Sequence, residues 1–160
     1  MTAGANLLAM QLTQLFREED VVVPFQASDK WDALRRLVDG LVQHGRLTAA
    51  QGESVHEAVL ARERSMSTGM EQGIAIPHAA VDDVPEVVAT LGVVQAEGGL
   101  EFESIDGRPT HFVVLLVVPR AQKLLHIRTL ADVARVLSKP DVRQALLEAE
   151  DARAAWNALA

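Results

Sequence analysis

The chain is predicted to fold as an α/β domain of the layered kind, a three-layer α/β/α sandwich with helices on both faces of one sheet. Three observations point there. Phe112 to Val118 is an unbroken apolar run ended by Pro119. It is far shorter than the roughly 20 residues a membrane helix needs, so it reads as a buried strand. Shorter β-rich runs at 21–25, 74–76 and 87–94 are separated by stretches with helical spacing, which is the alternation of a layered sheet protein. The last third is helical throughout. With 160 residues, 49% apolar and 23% charged, the chain suits one compact domain over 1–160 with a substantial core. It has no internal repeat, low-complexity tract or linker-like composition shift.

Leu8, Leu12, Leu15 and Phe16 form one stripe and predict a helix over 7–17. Glu18-Glu19-Asp20 ends it. Val21 to Phe25 reads as a short strand, at a sheet edge because of Pro24. Asp29 and Asp32 signal a helix start. Trp31, Leu34, Leu37, Val38, Leu41 and Val42 then keep helical spacing, with Gly45 as the stop. Thr48 and Gln51 fit a capping box, opening a helix through Val55, Ala58 and Val59 to about Arg62. Ile74 to Ile76 is a short strand closed by Pro77, which cannot donate to a ladder. After a polar turn at 82–85, Val87 to Val94 is a strand, Leu100 to Ile105 a further short one, and Asp106-Gly107 a hairpin signal. Leu124, Ile127, Leu130, Ala131, Ala134 and Leu137 make a helical stripe. Pro140 opens a further helix and Asp151 caps a last one, from Ala152 to Leu159.

Composition excludes several functions. There is no cysteine, hence no disulfide, thiol catalysis or Cys-type zinc site. A net charge of −7 disfavours nucleic acid and favours a partner with a basic docking face. No basic residue precedes Arg17, so a signal peptide is not expected, and a cytoplasmic location follows by default with no membrane insertion.

The most informative stretch runs from Arg62 to His78, Arg-Glu-Arg-Ser-Met-Ser-Thr-Gly-Met-Glu-Gln-Gly-Ile-Ala-Ile-Pro-His. It delivers His78 at a strand end, where an imidazole can serve as base, ligand or nucleophile, or merely close a turn. Gly73-Ile74-Ala75-Ile76-Pro77-His78, preceded by Ser67-Thr68-Gly69 and Ala61-Arg62-Glu63-Arg64, resembles the active-site segment of the type-2 EIIA domains. These are the fructose/mannitol-type phosphocarriers of the bacterial sugar phosphotransferase system, with its nitrogen-regulatory branch. The resemblance extends from about Phe16 to the C-terminus. It implies a mixed sheet, and it implies that His78 accepts a phosphoryl group from the phosphohistidine of the small carrier HPr. The phosphoryl group then passes to an EIIB or serves as a regulatory signal. The chain would thus act as a phosphotransferase component, with no cofactor.

The same resemblance marks His126, in a His-x-x-x-Leu-Ala context, as a second active-site imidazole that holds the first or its phosphoryl oxygens. The competing reading is a polar residue at a helix start. It also marks Arg62, sixteen positions before His78. A guanidinium suits the charge on transferring phosphoryl oxygens, although a cation in a last helical turn needs no such role. Thr68 is a supporting candidate, able to offer a hydroxyl or backbone N–H to the phosphoryl group. Arg64, His44, His56 and His111 read as surface or strand-end residues. Glu71 departs from the small residue usual in the family, and its carboxylate would oppose a phosphohistidine. The chemical rival is a metal set of His78 and His126 with Asp82 or Asp83. The functional rival is a degenerate EIIA-like regulatory module that binds partners without being phosphorylated.

Overall fold

The computed structural model describes residues 12–160. The predicted first helix appears as α1 (Leu12–Leu15), while Leu8 lies outside the described residues. A 3-10 turn at Glu18–Asp20 leads into β1 (Val21–Val22). Then come α2 (Lys30–Gln43), α3 (Ala49–Ser65), β2 (Ile74–Ala75), β3 (His78–Val81), β4 (Val88–Val93) and β5 (Phe112–Pro119). The chain closes with α4 (Lys123–Leu137), α5 (Pro140–Glu148) and α6 (Ala152–Ala158). Three helix starts carry the expected caps, while the predicted start of the first helix at residue 7 lies outside the described residues. The Asp29 carboxylate accepts from Asp32 N at 2.8 Å, Thr48 and Gln51 cap each other, and Asp151 accepts from Ala154 N at 2.8 Å.

β1, β4 and β5 lie side by side, and β2 and β3 both pair with the far edge of β5. Only β4–β5 is antiparallel, so the sheet is mixed. β5 is buried along its whole length, and its twofold side-chain period divides it between two helical layers. Val113, Leu115 and Val117 face α2 and α3, packing with Leu37 and Val59. Phe112, Val114, Leu116 and Val118 face the other layer, with Leu12, Val133 and Leu146. Each fully buried aliphatic side chain contributes roughly 1.5–3 kcal/mol relative to exposure, so this strand anchors both cores.

Four sequence expectations change. The first strand stops at Val22, at the sheet edge. Its neighbour Asp20 is buried against Arg46 of the α2–α3 turn and accepts from the Thr90 hydroxyl at its carbonyl. Leu100 to Ile105 is no strand. Leu100 makes a single bridge with Thr110, and Glu103 at φ 53° breaks the extension. His78 is not a strand end, since Pro77 interrupts the ladder for one step only. Its carbonyl still accepts from Leu116 N at 2.9 Å, and His78 opens β3. Finally, Leu124 and Ile127 are 82% and 65% exposed, because the start of α4 overhangs the sheet end beyond Pro119.

Candidate functional site

After α3 the chain doubles back in a tight loop. Met70 N donates to Ile74 O at 2.8 Å and Ile76 N to Thr68 O at 3.2 Å. The bend uses positive φ at Gln72 and Gly73, and Gln72 N is held by the Asp106 carboxylate at 2.9 Å. Gly69 is wedged against the 102–104 backbone, where a Cβ would stand 2.6 Å from Phe102 O. No side chain fits there without moving backbone. The loop therefore returns into β2 in a set position, and β3 follows.

Within β3, Ala79 and Val81 point into the α2–α3 core. The period of two turns His78 and Ala80 to the opposite face, under α4. That brings together two imidazoles 48 positions apart in the chain: the rings of His78 and His126 meet edge to face, 4.9 Å between centroids and 65° between planes. His78 Nδ1 lies 2.9 Å from Ile76 O. A carbonyl can only accept, so Nδ1 carries the proton and Nε2 keeps its lone pair. Burial is the main cause that lowers the His78 pKa below its ordinary 6.5. The Ile76 hydrogen bond opposes it, the Arg62 charge adds to it, and Glu63 partly offsets it. His126 is lowered too, by burial first, then by His78 and Arg62. Both rings are thus neutral near pH 7. His126 Nε2 is buried and meets no hydrogen-bond partner among the described residues.

Arg62, Thr68 and His78 line one cavity of about 210 Å³, with Ile105 and Leu130 on its walls. His126 lines the adjoining groove with Ala80, Pro119, Arg120 and Ile127. The four residues singled out by sequence therefore share one end of the sheet. Arg62 sits in the last turn of α3, with Nη1 donating to Met66 O at 2.9 Å. The Thr68 hydroxyl is already committed to Glu63, as is its N–H at 3.0 Å. Thr68 therefore holds the loop and has no free hydroxyl to offer.

Two charged residues escaped the sequence reading. Glu63 is 3% exposed and Lys30 7%. Lys30 Nζ lies 3.2 Å from both Glu63 and Glu103, with the Trp31 and Phe102 rings close by. A signal was present for Glu63, because Val55, Val59 and Glu63 share one helical face and the stripe simply continues onto a carboxylate. Lys30 likewise continues the face of Leu34, Leu37 and Leu41, while Trp31 stands 39% exposed.

The remaining candidates fall elsewhere. Arg64 and His44 are exposed. Glu71 is exposed at the loop tip, and the carboxylate whose charge reaches His78 is Glu63. His111 is half-buried and donates from Nδ1 to Val94 O. His56 is not a free surface residue: Arg35 donates to its Nδ1 at 3.1 Å, and burial, then Arg35, lower its pKa. The metal set does not converge. Asp82 pairs with Arg120 at 3.0 Å, and among the described residues no group of three or more His, Cys, Asp or Glu side chains can hold an ion. No described helix is long and apolar enough to cross a membrane. Around the site stand four large exposed apolar side chains, Met66 and Ile105 besides Leu124 and Ile127.

The chain as a whole is similar to known proteins. The family model for the phosphoenolpyruvate-dependent sugar phosphotransferase system, EIIA 2, matches residues 14–160. The chain is 30% identical over 141 residues to the fructose-specific EIIABC component of Bacillus subtilis, covering 88% of this chain but only 22% of that one. It is 29% identical over 151 residues to a nitrogen regulatory protein of Bradyrhizobium diazoefficiens, covering 94% and 95% of the two. Among solved structures, the nitrogen regulatory protein IIA-Ntr of Neisseria meningitidis superposes with a TM-score of 0.79 at 23% identity, over 93% of this chain and 99% of that one. Enzyme IIA-mannitol of Escherichia coli, solved in complex with phosphorylated enzyme IIB-mannitol, superposes with 0.73 at 20% identity, over 91% and 96%. At these identities the structures speak for the fold alone.

Proposed function

Because the chain belongs to the EIIA type-2 family of the phosphoenolpyruvate-dependent sugar phosphotransferase system, we propose that it is a phosphohistidine carrier, acting as one domain and charged on His78. The observation that carries this reading is the Ile76 carbonyl on Nδ1 of His78, which leaves Nε2 as the nucleophilic atom beside a second imidazole. The Nε2 lone pair attacks phosphorus as the bond from phosphorus to the donor's imidazole breaks, and the donor ring leaves with that electron pair. The His78 ring then bears the phosphoryl group on Nε2 and a proton on Nδ1, and the Ile76 carbonyl stabilises its positive charge.

Such a transfer asks the protein for alignment and for cationic or hydrogen-bonding groups at the equatorial oxygens. Arg62 reaches those oxygens by exchanging the Met66 carbonyl for them. His126 offers the buried Nε2 that otherwise lacks a partner. Thr68 acts by position, through the loop it holds. No cofactor is required for exchange between two histidines.

The donor is an HPr-type carrier, and the acceptor an EIIB or a protein regulated by the phosphorylation state. Exposed apolar side chains grouped at a site mark a protein-docking surface. Met66, Ile105, Leu124 and Ile127 provide one here, where a phosphohistidine on a partner has to arrive. Incubation with phosphoenolpyruvate, enzyme I and HPr is expected to add one acid-labile, base-stable phosphate by intact-protein mass spectrometry, and none to His78→Ala. An unlabelled parent protein would favour the non-phosphorylated binding module instead. Normal labelling of His78→Ala would move the acceptor elsewhere.

A further inference from the structure

We propose that Glu63, held in the interior by Lys30, is a positioning residue that sets the tautomer of His78 through Thr68 and Ile76. A buried ion pair is expensive to desolvate and is weak evidence for stability on its own. Here each oxygen of the carboxylate is engaged. Oε2 accepts from Lys30 Nζ at 3.2 Å and from Thr68 N at 3.0 Å, and Oε1 accepts the Thr68 hydroxyl. Two of these three donors belong to one residue, so the carboxylate clamps Thr68 in both backbone and side chain.

From Thr68 the connection continues to the reactive ring. The Thr68 carbonyl accepts from Ile76 N at 3.2 Å, and the Ile76 carbonyl accepts from Nδ1 of His78 at 2.9 Å. The peptide group that carries the Ile76 carbonyl has no N–H, because Pro77 follows. It is held from its two ends instead: Ile76 N by Thr68, and the Pro77 carbonyl by Leu116 N at 2.9 Å. Release of Thr68 frees one of those ends. The carbonyl is then no longer aimed at the imidazole, and the proton is free to move to Nε2, the atom that must attack.

The substitutions separate charge from position. An amide at position 63 cannot accept at both ends, so Glu63→Gln turns a donor toward one of its donors and leaves the buried Lys30 ammonium with the exposed Glu103 carboxylate as its remaining partner. Thr68→Val keeps the shape and the N–H but deletes the hydroxyl donor. The double change Lys30→Met with Glu63→Gln removes both charges and still unfastens Thr68.

The test uses protein labelled with 15N-histidine. Long-range proton–nitrogen correlation above pH 7 reads the His78 tautomer without any phosphorylation. The parent is expected to show Nδ1–H alone, and each variant a mixture with Nε2–H. The kinetic arm rests on the proposed function. Transfer from phospho-HPr is expected to slow by about tenfold or more, toward the ~10²-fold that a misplacement near 1 Å costs. Folded variants that keep the Nδ1–H tautomer overturn the proposal. Should Glu63→Gln fail to fold, Thr68→Val and the charge-free double variant decide it. A parent that is never phosphorylated overturns the carrier reading, while the tautomer measurement still judges the relay.

Discussion

His78 is met by neighbours from three directions: the Ile76 carbonyl on Nδ1, the His126 ring edge to face, and the Arg62 charge. In the proposed reaction, removing His126 or Arg62 leaves His78 in place but withdraws stabilisation from the developing charge. His126→Ala and Arg62→Ala are therefore expected to slow transfer by roughly 10²–10³, the usual cost of losing one such donor. Their circular dichroism should match the parent, since both side chains are only partly buried. Rapid-quench phosphorylation against phospho-HPr measures the effect, and a rate equal to the parent's would return both residues to ordinary helix-end roles. Of the four residues marked by sequence, Thr68 changes most in meaning. Its residue type suggested a hydroxyl for the phosphoryl group, whereas its burial against Glu63 uses that hydroxyl to hold the loop.

At the scale of elements, the start of α4 shows where periodicity is ambiguous. Leu124 and Ile127 keep helical spacing with Leu130 and Leu137, and nothing in that pattern says which turns lie over the sheet. Leu137 is buried, while Leu124 and Ile127 overhang the sheet end beside His126. Under the proposed function this overhang is where a partner docks. Leu124→Ala with Ile127→Ala is expected to leave thermal stability unchanged, because neither side chain is in the core. It should weaken phospho-HPr docking at least about fivefold, near the ~1 kcal/mol that marks a significant interface residue. The KM for phospho-HPr reads this, and an unchanged KM would place docking on another face. Glu63 and Lys30 show the converse, polar residues continuing apolar faces into the interior, where each offsets the other's charge and Glu103 and Thr68 supply further partners.

Across the whole molecule, the titrating histidines tie stability to pH. His56, His78 and His126 all have folded pKa values below 6.5, mainly through burial. The unfolded chain then binds protons more readily than the native state. Their contribution is fully present above pH 6.5 and is lost as pH falls through the lowered folded values. Asp20 runs the other way. Burial raises its pKa from 3.8, so it opposes stability as pH rises through its folded value. With three histidines set against one carboxylate, the protein is expected to be less stable at about pH 5.5 than at about pH 7.5. Urea denaturation at the two pH values measures this, and equal midpoints would mean that the rings are not buried as described. Phosphoryl acceptance should hold steady down to the same region and then fail as Nε2 is protonated.

The layered α/β class, most helix starts, the central strand and the turn and strand of the candidate-site stretch from Arg62 to His78 were legible in the sequence, because each rests on local chemistry. Caps need a particular residue three positions from another, a buried strand needs an unbroken apolar run, and the Gly-Ile-Ala-Ile-Pro-His motif joins turn, strand and imidazole in adjacent residues. What only the tertiary structure decided are the long-range pairings. These include the register that turns His78 under α4, the meeting of two rings 48 positions apart, and the burial of Glu63 with Lys30, 33 positions away. Helical and strand periods say which side chains share a face. They do not say what lies opposite that face, and a carboxylate is solvated or buried according to what does.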